Sequence, residues 1–370
     1  MANHTTEEFT MNWEEAVQWA RSREDQQLLV EACYFDDPIE EAAQRFYESV
    51  EWQETKKYIP EGQTVLDIGS GRGISAYALA KDGWTVTALE PDSSDLTGCG
   101  SIRKLKENCG LPISIVNEWG ETLPFSDEQF DFVYCRQVLH HANNLASFMK
   151  EVSRVLKPGG SFIALREHVV DTPEDLDVFL KSHPLHKFYG GENAFPLPHY
   201  ISCIQDAGLY FENILQPFDN ILNIWPASED YILNTLESMW RWKCAPTRTD
   251  LVENANRNYT FPGRIFSFFV KKPLSLEKND IERLSQELKS YKIISSSLLC
   301  NHAALINKNY TVIVEQLAKL DDIEAKIVDL TSQSIQNRDN YNNLKNLFRH
   351  PFRTIGLKIL RKTRSRLQRK

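Results

Sequence analysis

The sequence predicts an α/β fold: a doubly wound parallel sheet, with a long helical extension behind it. Three observations predict this. Short β-branched runs alternate with helix-like stretches from about 63 to 168, the signature of βαβ units. "VLDIGSGRGISAYALA", Val65 to Ala80, joins an apolar run to a glycine-rich turn and then to a helical pattern. After Pro273 the composition becomes polar, with a heptad-like spacing of apolar residues.

In chain order, residues 1–62 read as an N-terminal helical cap, in which "NWEEAVQWARS" has Asn12 as N-cap and acids in its first turn. The sheet domain spans 63–272, with strands "TVLDI", "TVTALE", "ISIV", "FDFVYC" and "SFIALRE". Between them lie the helices "GISAYALAKDG", "SDLTGCGSIRKLKENCG" and "NNLASFMKEVSRVL", the last closed by "KPGG". "HYISCIQDAGLYFENILQ" (199–216) adds a helix–strand pair, and "GRIFSFFVKKP" (263–273) a last strand. Residues 217–262, rich in aromatic and polar residues, read as an insertion of unassigned shape.

Residues 273–347 form the helical stretch. Ile281, Leu284, Leu288, Tyr291, Ser295 and Leu298 repeat at 3-4 spacing, as do residues from Ile323 to Phe348, which predicts a coiled coil and a homo-oligomer through it. In the tail, 348–370, nine Lys or Arg and no acid surround an apolar helical face. That pattern predicts an amphipathic helix drawn to an anionic membrane surface, each basic residue contributing about 1 kcal/mol before screening. The net charge of −9 therefore hides a more acidic body, and nucleic acid is not an expected partner of that body. Seven scattered cysteines without metal-ligand spacing, and a start lacking the pattern of a secretory leader, predict a cytoplasmic setting, peripheral at the inner face of the membrane. No run of 18 apolar residues occurs, so no membrane-spanning helix is expected.

A strand, a glycine turn and a helix aim backbone N–H groups and a positive helix end at a ligand. Here the turn is Gly69-Ser70-Gly71-Arg72-Gly73, and Ile74 stands where a dinucleotide fingerprint has its third glycine. Asp67 directs a negative charge at the turn, which repels a pyrophosphate and attracts an ammonium and a sulfonium. This favours S-adenosyl-L-methionine (SAM) over NAD. Glu90 ends the second strand 19 residues after Gly71, where an acid accepts ribose hydroxyls in either class of ligand.

With "TVTALEPD", "ETLPFSDEQFDFVYCRQVLHH" and "EVSRVLKPGGSF" added to "VLDIGSGRG", the chain resembles the class I SAM-dependent methyltransferases of the broad type-11 group, over roughly residues 45–215 plus the last strand. The resemblance implies a Rossmann-like seven-stranded sheet whose last strand is antiparallel, with SAM across the strand C-termini. It assigns Asp67, Gly69 and Gly71 to the methionine end and Glu90 to the ribose. Where many relatives place an Asp for the adenine, this chain has Glu118-Trp119-Gly120-Glu121, so Trp119 is expected to wall the adenine with a backbone N–H of Trp119 or Gly120 at the ring. Arg136, after the fourth strand, is expected near the methionine end or the acceptor.

Methyl transfer to an alcohol needs a base as well as in-line positioning. His140 and His141 follow the fourth strand, and His168 ends the fifth. "SHPLHKFYGGENAFPLPHY" (182–200) brings His183, His186, Tyr189 and Glu192 on a glycine-containing loop suited to a substrate lid. The candidate catalytic residues are His140, His168, His186 and Glu192, and no spacing among them forms a metal-ligand motif. The expected reaction is in-line transfer of the SAM methyl to oxygen of a glycan or small molecule. A non-catalytic scaffold dimerising through its coil, and an NAD-dependent oxidoreductase, are the alternatives.

Overall fold

The computed structural model describes residues 11–274 except 241, 243, 244 and 260. The expected coil and basic tail lie outside the described residues.

Eight strands form one sheet: β1 (Thr64–Ile68), β2 (Thr85–Leu89), β3 (Ile113–Val116), β4 (Phe130–Arg136), β5 (Leu156–Val170), β6 (Phe195–Pro196), β7 (Tyr210–Leu215) and β8 (Arg264–Lys271). Their order is β3-β2-β1-β4-β5-β8-β7, and the two-residue β6 pairs with β5 as an addition to the expected seven. The pairs β1–β2, β1–β4, β2–β3 and β4–β5 are parallel, and β8 runs antiparallel to β5 and β7. Strand order reverses between β1 and β4, and in such sheets ligands bind outside the carboxyl ends at the reversal.

The strands are buried on both faces, and residue parity divides the core into two layers. Leu66, Ile68, Val133 and Phe162 face helix α7 (Leu145–Val155) through Met149 and Val152. Val65, Phe132, Tyr134 and Ile163 share the other layer with Ala76 and Leu79 of helix α5 (Ile74–Lys81) and with Phe46 and Trp52 of the cap. Helix α6 (Cys99–Cys109) starts five residues later than the sequence pattern suggests. The Asp92 carboxylate accepts from the Ser94 N–H and from the Ser94 and Thr97 hydroxyls, holding 94–97 in a turn. "KPGG" is likewise not a simple stop: β5 already begins at Leu156, opposite Phe130, and its register to β4 shifts before Phe132. Lys157 closes on the intervening Asp131 at 2.6 Å.

The cap contains α1 (Trp13–Arg21), α2 (Gln27–Ala32), α3 (Ile39–Tyr47) and α4 (Val50–Thr55). Asn12 caps α1 as expected, in a reciprocal box with Glu15. After β5 come α8 (Pro173–Ser182), α9 (His186–Tyr189) and α10 (Leu197–Asp206). The 217–262 insertion is helical, with α11 (Ile221–Ile224), α12 (Glu229–Met239) and α13 (Arg248–Asn258) around a core of Phe218, Ile232, Leu236, Leu251 and Phe261.

Two arginines lock the cap to the sheet. Arg72, in the glycine turn, donates to Tyr34 O and Asp36 O at 2.8 Å and to the Asp37 carboxylate at 2.6 Å. Arg136, at the end of β4, grips Glu51 of α4 with both Nε (2.6 Å) and Nη2 (2.9 Å). Glu51 has no exposed surface, and Arg166 lies 3.9 Å from it on the other side.

Removing one partner of a buried ion pair leaves the other charge stranded. Glu51→Ala is therefore expected to lower unfolding stability by about 3–5 kcal/mol in denaturant titrations, because Arg136 and Arg166 would face each other without a counter-charge. An unchanged midpoint would show that the network carries no net stability.

Candidate active site

The glycine turn follows from β1 needing to reverse into α5 within six residues. Gly69 has φ +68°, and a Cβ there would come within 2.5 Å of the Val138 side chain, so the turn lies directly against the segment after β4. Gly71 has φ +53°, and a Cβ would meet nothing within 4 Å, leaving open space above the turn. Asp67 is buried beneath it. Its Oδ2 accepts from the Ser70 and Ser75 hydroxyls, whereas its buried Oδ1 has no hydrogen-bond partner. Burial pushes the Asp67 carboxyl up to about 6, the two hydroxyls holding it back only in part.

Glu90 follows β2 immediately and accepts from the N–H of Gly71 (2.7 Å) and of Asp92 (3.0 Å). Burial pushes it up to about 7, with the neighbouring charges of Asp92 and Asp67 adding to the effect. Two buried acids thus flank an open, glycine-lined space. An unpaired Asp67 carboxylate oxygen and the Glu90 carboxylate are acceptors suited to the cationic and hydroxylated parts of a nucleoside ligand, and the residues present fit SAM. They fit a pyrophosphate poorly.

Trp119 is 56% exposed, so it belongs to the surface and not to the core. Gly120 is buried against Phe148, and a side chain there would collide with that ring. Arg136, expected toward the ligand, is instead committed to Glu51 and to the Gln137 amide oxygen. Its side chain also faces the rings of Phe46 and Tyr34. The cap loop at 34–37 is held by Arg72, and Tyr34 is buried within it.

Beyond β4, a single 3-10 turn, Leu139–His141, places two consecutive imidazoles at the carboxyl end of the sheet. His140 is buried, and its Nδ1 lies 2.7 Å from Oε2 of Glu167 on β5. Glu167 also accepts from the N–H groups of Val138 and His140, both at 3.1 Å, so its oxygens are fully used in orienting this segment. His141 is directed by Gly191 O, 2.9 Å from its Nδ1. Glu192, carried in by the 182–194 loop, meets them: its Oε2 is 3.8 Å from Nε2 of both His140 and His141. Its Oε1 lies 3.6 Å from His183 Nε2 and accepts the Tyr189 hydroxyl. Burial alone would raise the Glu192 carboxyl, but His183, His141, His140 and Tyr189 together hold it below the ordinary range.

His168 also reaches this cluster, its ring 4.9 Å from that of His140. Its Nδ1 is 2.9 Å from Gly263 O, and burial pushes it down to about 3, which keeps it neutral. His186 accepts the Glu192 N–H at 3.3 Å and so shapes the loop. Of the four catalytic candidates, the fold joins His140 and Glu192 in one pocket, with His168 packed behind them and His186 supporting the backbone. Sequence reasoning missed Arg72 and Glu51, whose partners lie 35 or more positions away. It also missed that Glu167 is the group behind His140, although their placement after adjacent strands was a usable signal.

Residues 66–164 match the family model described as "Methyltransferase domain". The chain is 30% identical over 166 residues to a ubiquinone/menaquinone biosynthesis C-methyltransferase of Nitrobacter hamburgensis, covering 39% of this chain and 64% of that protein. It is 31% identical over 103 residues to a ubiquinone biosynthesis O-methyltransferase of a Methylobacterium strain, covering 28% and 40%. A solved SAM-dependent methyltransferase from Mesorhizobium loti aligns with TM-score 0.42 and 14% identity over 61% of this chain and all of that one. The chain spans about half the length of the curated relatives it matches. The family match falls on β1 to β5, the segment that carries Asp67 and Glu90, and residues 66–164 form a methyltransferase domain of the SAM-dependent kind.

Proposed function

We propose that this chain transfers a methyl group from SAM to an oxygen of a small-molecule or glycan acceptor. SAM, when bound, supplies a methyl group already activated by its sulfonium. Asp67 and Glu90 hold the charged and hydroxylated parts of that ligand, and Trp119 offers an exposed ring to the adenine.

One observation carries the oxygen reading. Val138 packs its side chain on Gly69 of the cofactor turn while its N–H bonds Glu167, the carboxylate behind His140. Cofactor turn and imidazole–carboxylate pocket are therefore built on the same residue. The Glu167 carboxylate at Nδ1 fixes the ring's orientation and leaves the opposite Nε2 to take a hydroxyl's proton as the methyl arrives. The related proteins name carbon, oxygen and nitrogen methyl transfer, so the choice rests on this pocket. The basic residues of 348–370 support a location at an anionic membrane surface. Among the described residues no helix is long and apolar enough to cross a membrane.

Glu167→Gln keeps the shape but removes the charge behind His140. Methyl transfer to an alcohol acceptor is expected to fall about 100-fold, with SAM still raising the melting temperature as in the parent protein. Full activity in this variant would sink the oxygen reading. The two raised carboxyls give a pH test. Free protein holds Asp67 and Glu90 protonated below about 6 and 7, while a cationic ligand prefers them ionised. Thermal stabilisation by SAM should therefore grow as pH rises from about 5.5 to 8. The ligand-free chain should show the opposite trend, because a carboxyl raised in the folded state destabilises it once ionised. In pelleting assays, the full chain should sediment with anionic vesicles, and a chain lacking 348–370 should remain in the supernatant.

A further inference from the structure

Beside the cofactor cradle, the His140–His141–Glu192 cluster has a property that base catalysis alone does not require. The protons in it can be assigned from its partners. His140 Nδ1 faces the Glu167 carboxylate and His141 Nδ1 faces the Gly191 carbonyl, both pure acceptors, so each Nδ1 carries the hydrogen. Each Nε2 then presents a lone pair. His183 is the reverse: its Nδ1 accepts the His186 N–H at 3.2 Å, which leaves its Nε2–H to point at Glu192 Oε1. Oε1 thus accepts the Tyr189 hydroxyl and faces His183 Nε2 at 3.6 Å, while Oε2 has neither neighbour.

Three potential ligand atoms, His140 Nε2, His141 Nε2 and Glu192 Oε2, converge within 4.8 Å of one another, and with both imidazoles neutral no hydrogen lies among them. The separation of 3.8 Å from Oε2 to either nitrogen is too long for a hydrogen bond. Lone pairs gathered at that spacing repel unless a cation lies between them. Every first ligand also has the outer partner that metal-bound groups use. Carboxylate and carbonyl hold the two imidazoles, while tyrosine and histidine hold the free oxygen of Glu192.

We infer that His140, His141 and Glu192 bind one divalent transition-metal ion, of the Zn2+ or Co2+ class, at the carboxyl end of the sheet. Two imidazoles and one carboxylate suit such ions and disfavour Mg2+ or Ca2+, which prefer all-oxygen shells. Small side-chain movements bring each ligand to about 2.1 Å from a common ion. Three protein ligands leave positions open for an oxygen of the acceptor. With the ion bound, His140 serves as a ligand, and the ion acidifies the hydroxyl coordinated to it. That O–H bond breaks to release a proton to solvent, and the oxygen's electron pair forms the new bond to the methyl as the methyl–sulfur bond breaks, its electrons returning to sulfur and S-adenosylhomocysteine leaving. In the ion-free chain His140 remains the proton acceptor. The catalytic consequence rests on the methyl-transfer reading above; the binding of the ion does not.

The test uses the full chain, stripped with a chelator, dialysed and titrated with Co2+ alone while visible absorption is followed. One Co2+ per chain is expected, displaced by Zn2+, and the same samples are scanned for thermal stabilisation by SAM. Glu192→Gln and His141→Ala should each weaken Co2+ binding about tenfold or more. His141 is only partly buried, and retained SAM stabilisation confirms that each variant is folded. Parent protein that takes up no Co2+ below about 1 mM, or variants that bind as it does, would overturn the metal site while leaving the SAM reading intact. Co2+ binding lost in both variants, with no response to SAM in the parent chain, would uphold the metal site and defeat the methyltransferase reading instead.

Discussion

The carboxylate of Glu51 is the point on which three parts of the molecule converge. It has no exposure to water, so its charge is tolerable only because Arg136 grips it with two donors and Arg166 approaches from the other side. Glu51 belongs to the cap, Arg136 ends β4, and Arg166 sits on β5 and donates to Leu222 O and Trp225 O of the insertion. Cap, sheet and insertion are thereby bound through one buried charge. Asn220 adds a second link from the insertion to Glu54, also on α4. Arg166 adopts φ +62°, an uncommon conformation for a side-chain-bearing residue, and its place in this network is what holds it there.

The same economy governs the site. Arg72 lies inside the glycine turn yet points away from the ligand space, toward the cap loop at 34–37. The turn therefore has two faces, one open above Gly71 and one fastened to the cap. Val138 supplies the corresponding junction on the other flank, against Gly69 and Glu167. The cofactor end is rigid because every segment around it is tied to a neighbour.

What the sequence disclosed was what is local. Asp67, the turn and Glu90 lie within 24 positions and obey a fixed strand–turn–helix geometry, so their spacing carries their roles. The strand boundaries were legible for the same reason, since "TVLDI" and "FDFVYC" are short, nearly continuous buried runs of the kind a parallel sheet covered on both faces requires. The start of α6 was not, because Asp92 diverts 94–97 through side-chain hydrogen bonds that compete with the helix. Arg136 was read toward the ligand because its partner, Glu51, is 85 positions away and looks like any acid on an amphipathic helix. The histidine pocket was opaque in its assembly. Its members were visible singly, but only tertiary packing brings Glu192 across some fifty positions to His140 and His141.

The pocket's division of parentage has an evolutionary consequence. Asp67 and Glu90, the carboxylates proposed to hold the cofactor, come from the first two βα units, whereas Glu192, Tyr189 and His183 arrive on a segment placed after β5. Changes within 182–194 reach His140 and His141 through Glu192, whereas the hydrogen bonds of the Asp67 and Glu90 carboxylates are made within residues 70–92. Selection can thus diversify substrates on an inherited cofactor module, one short segment at a time.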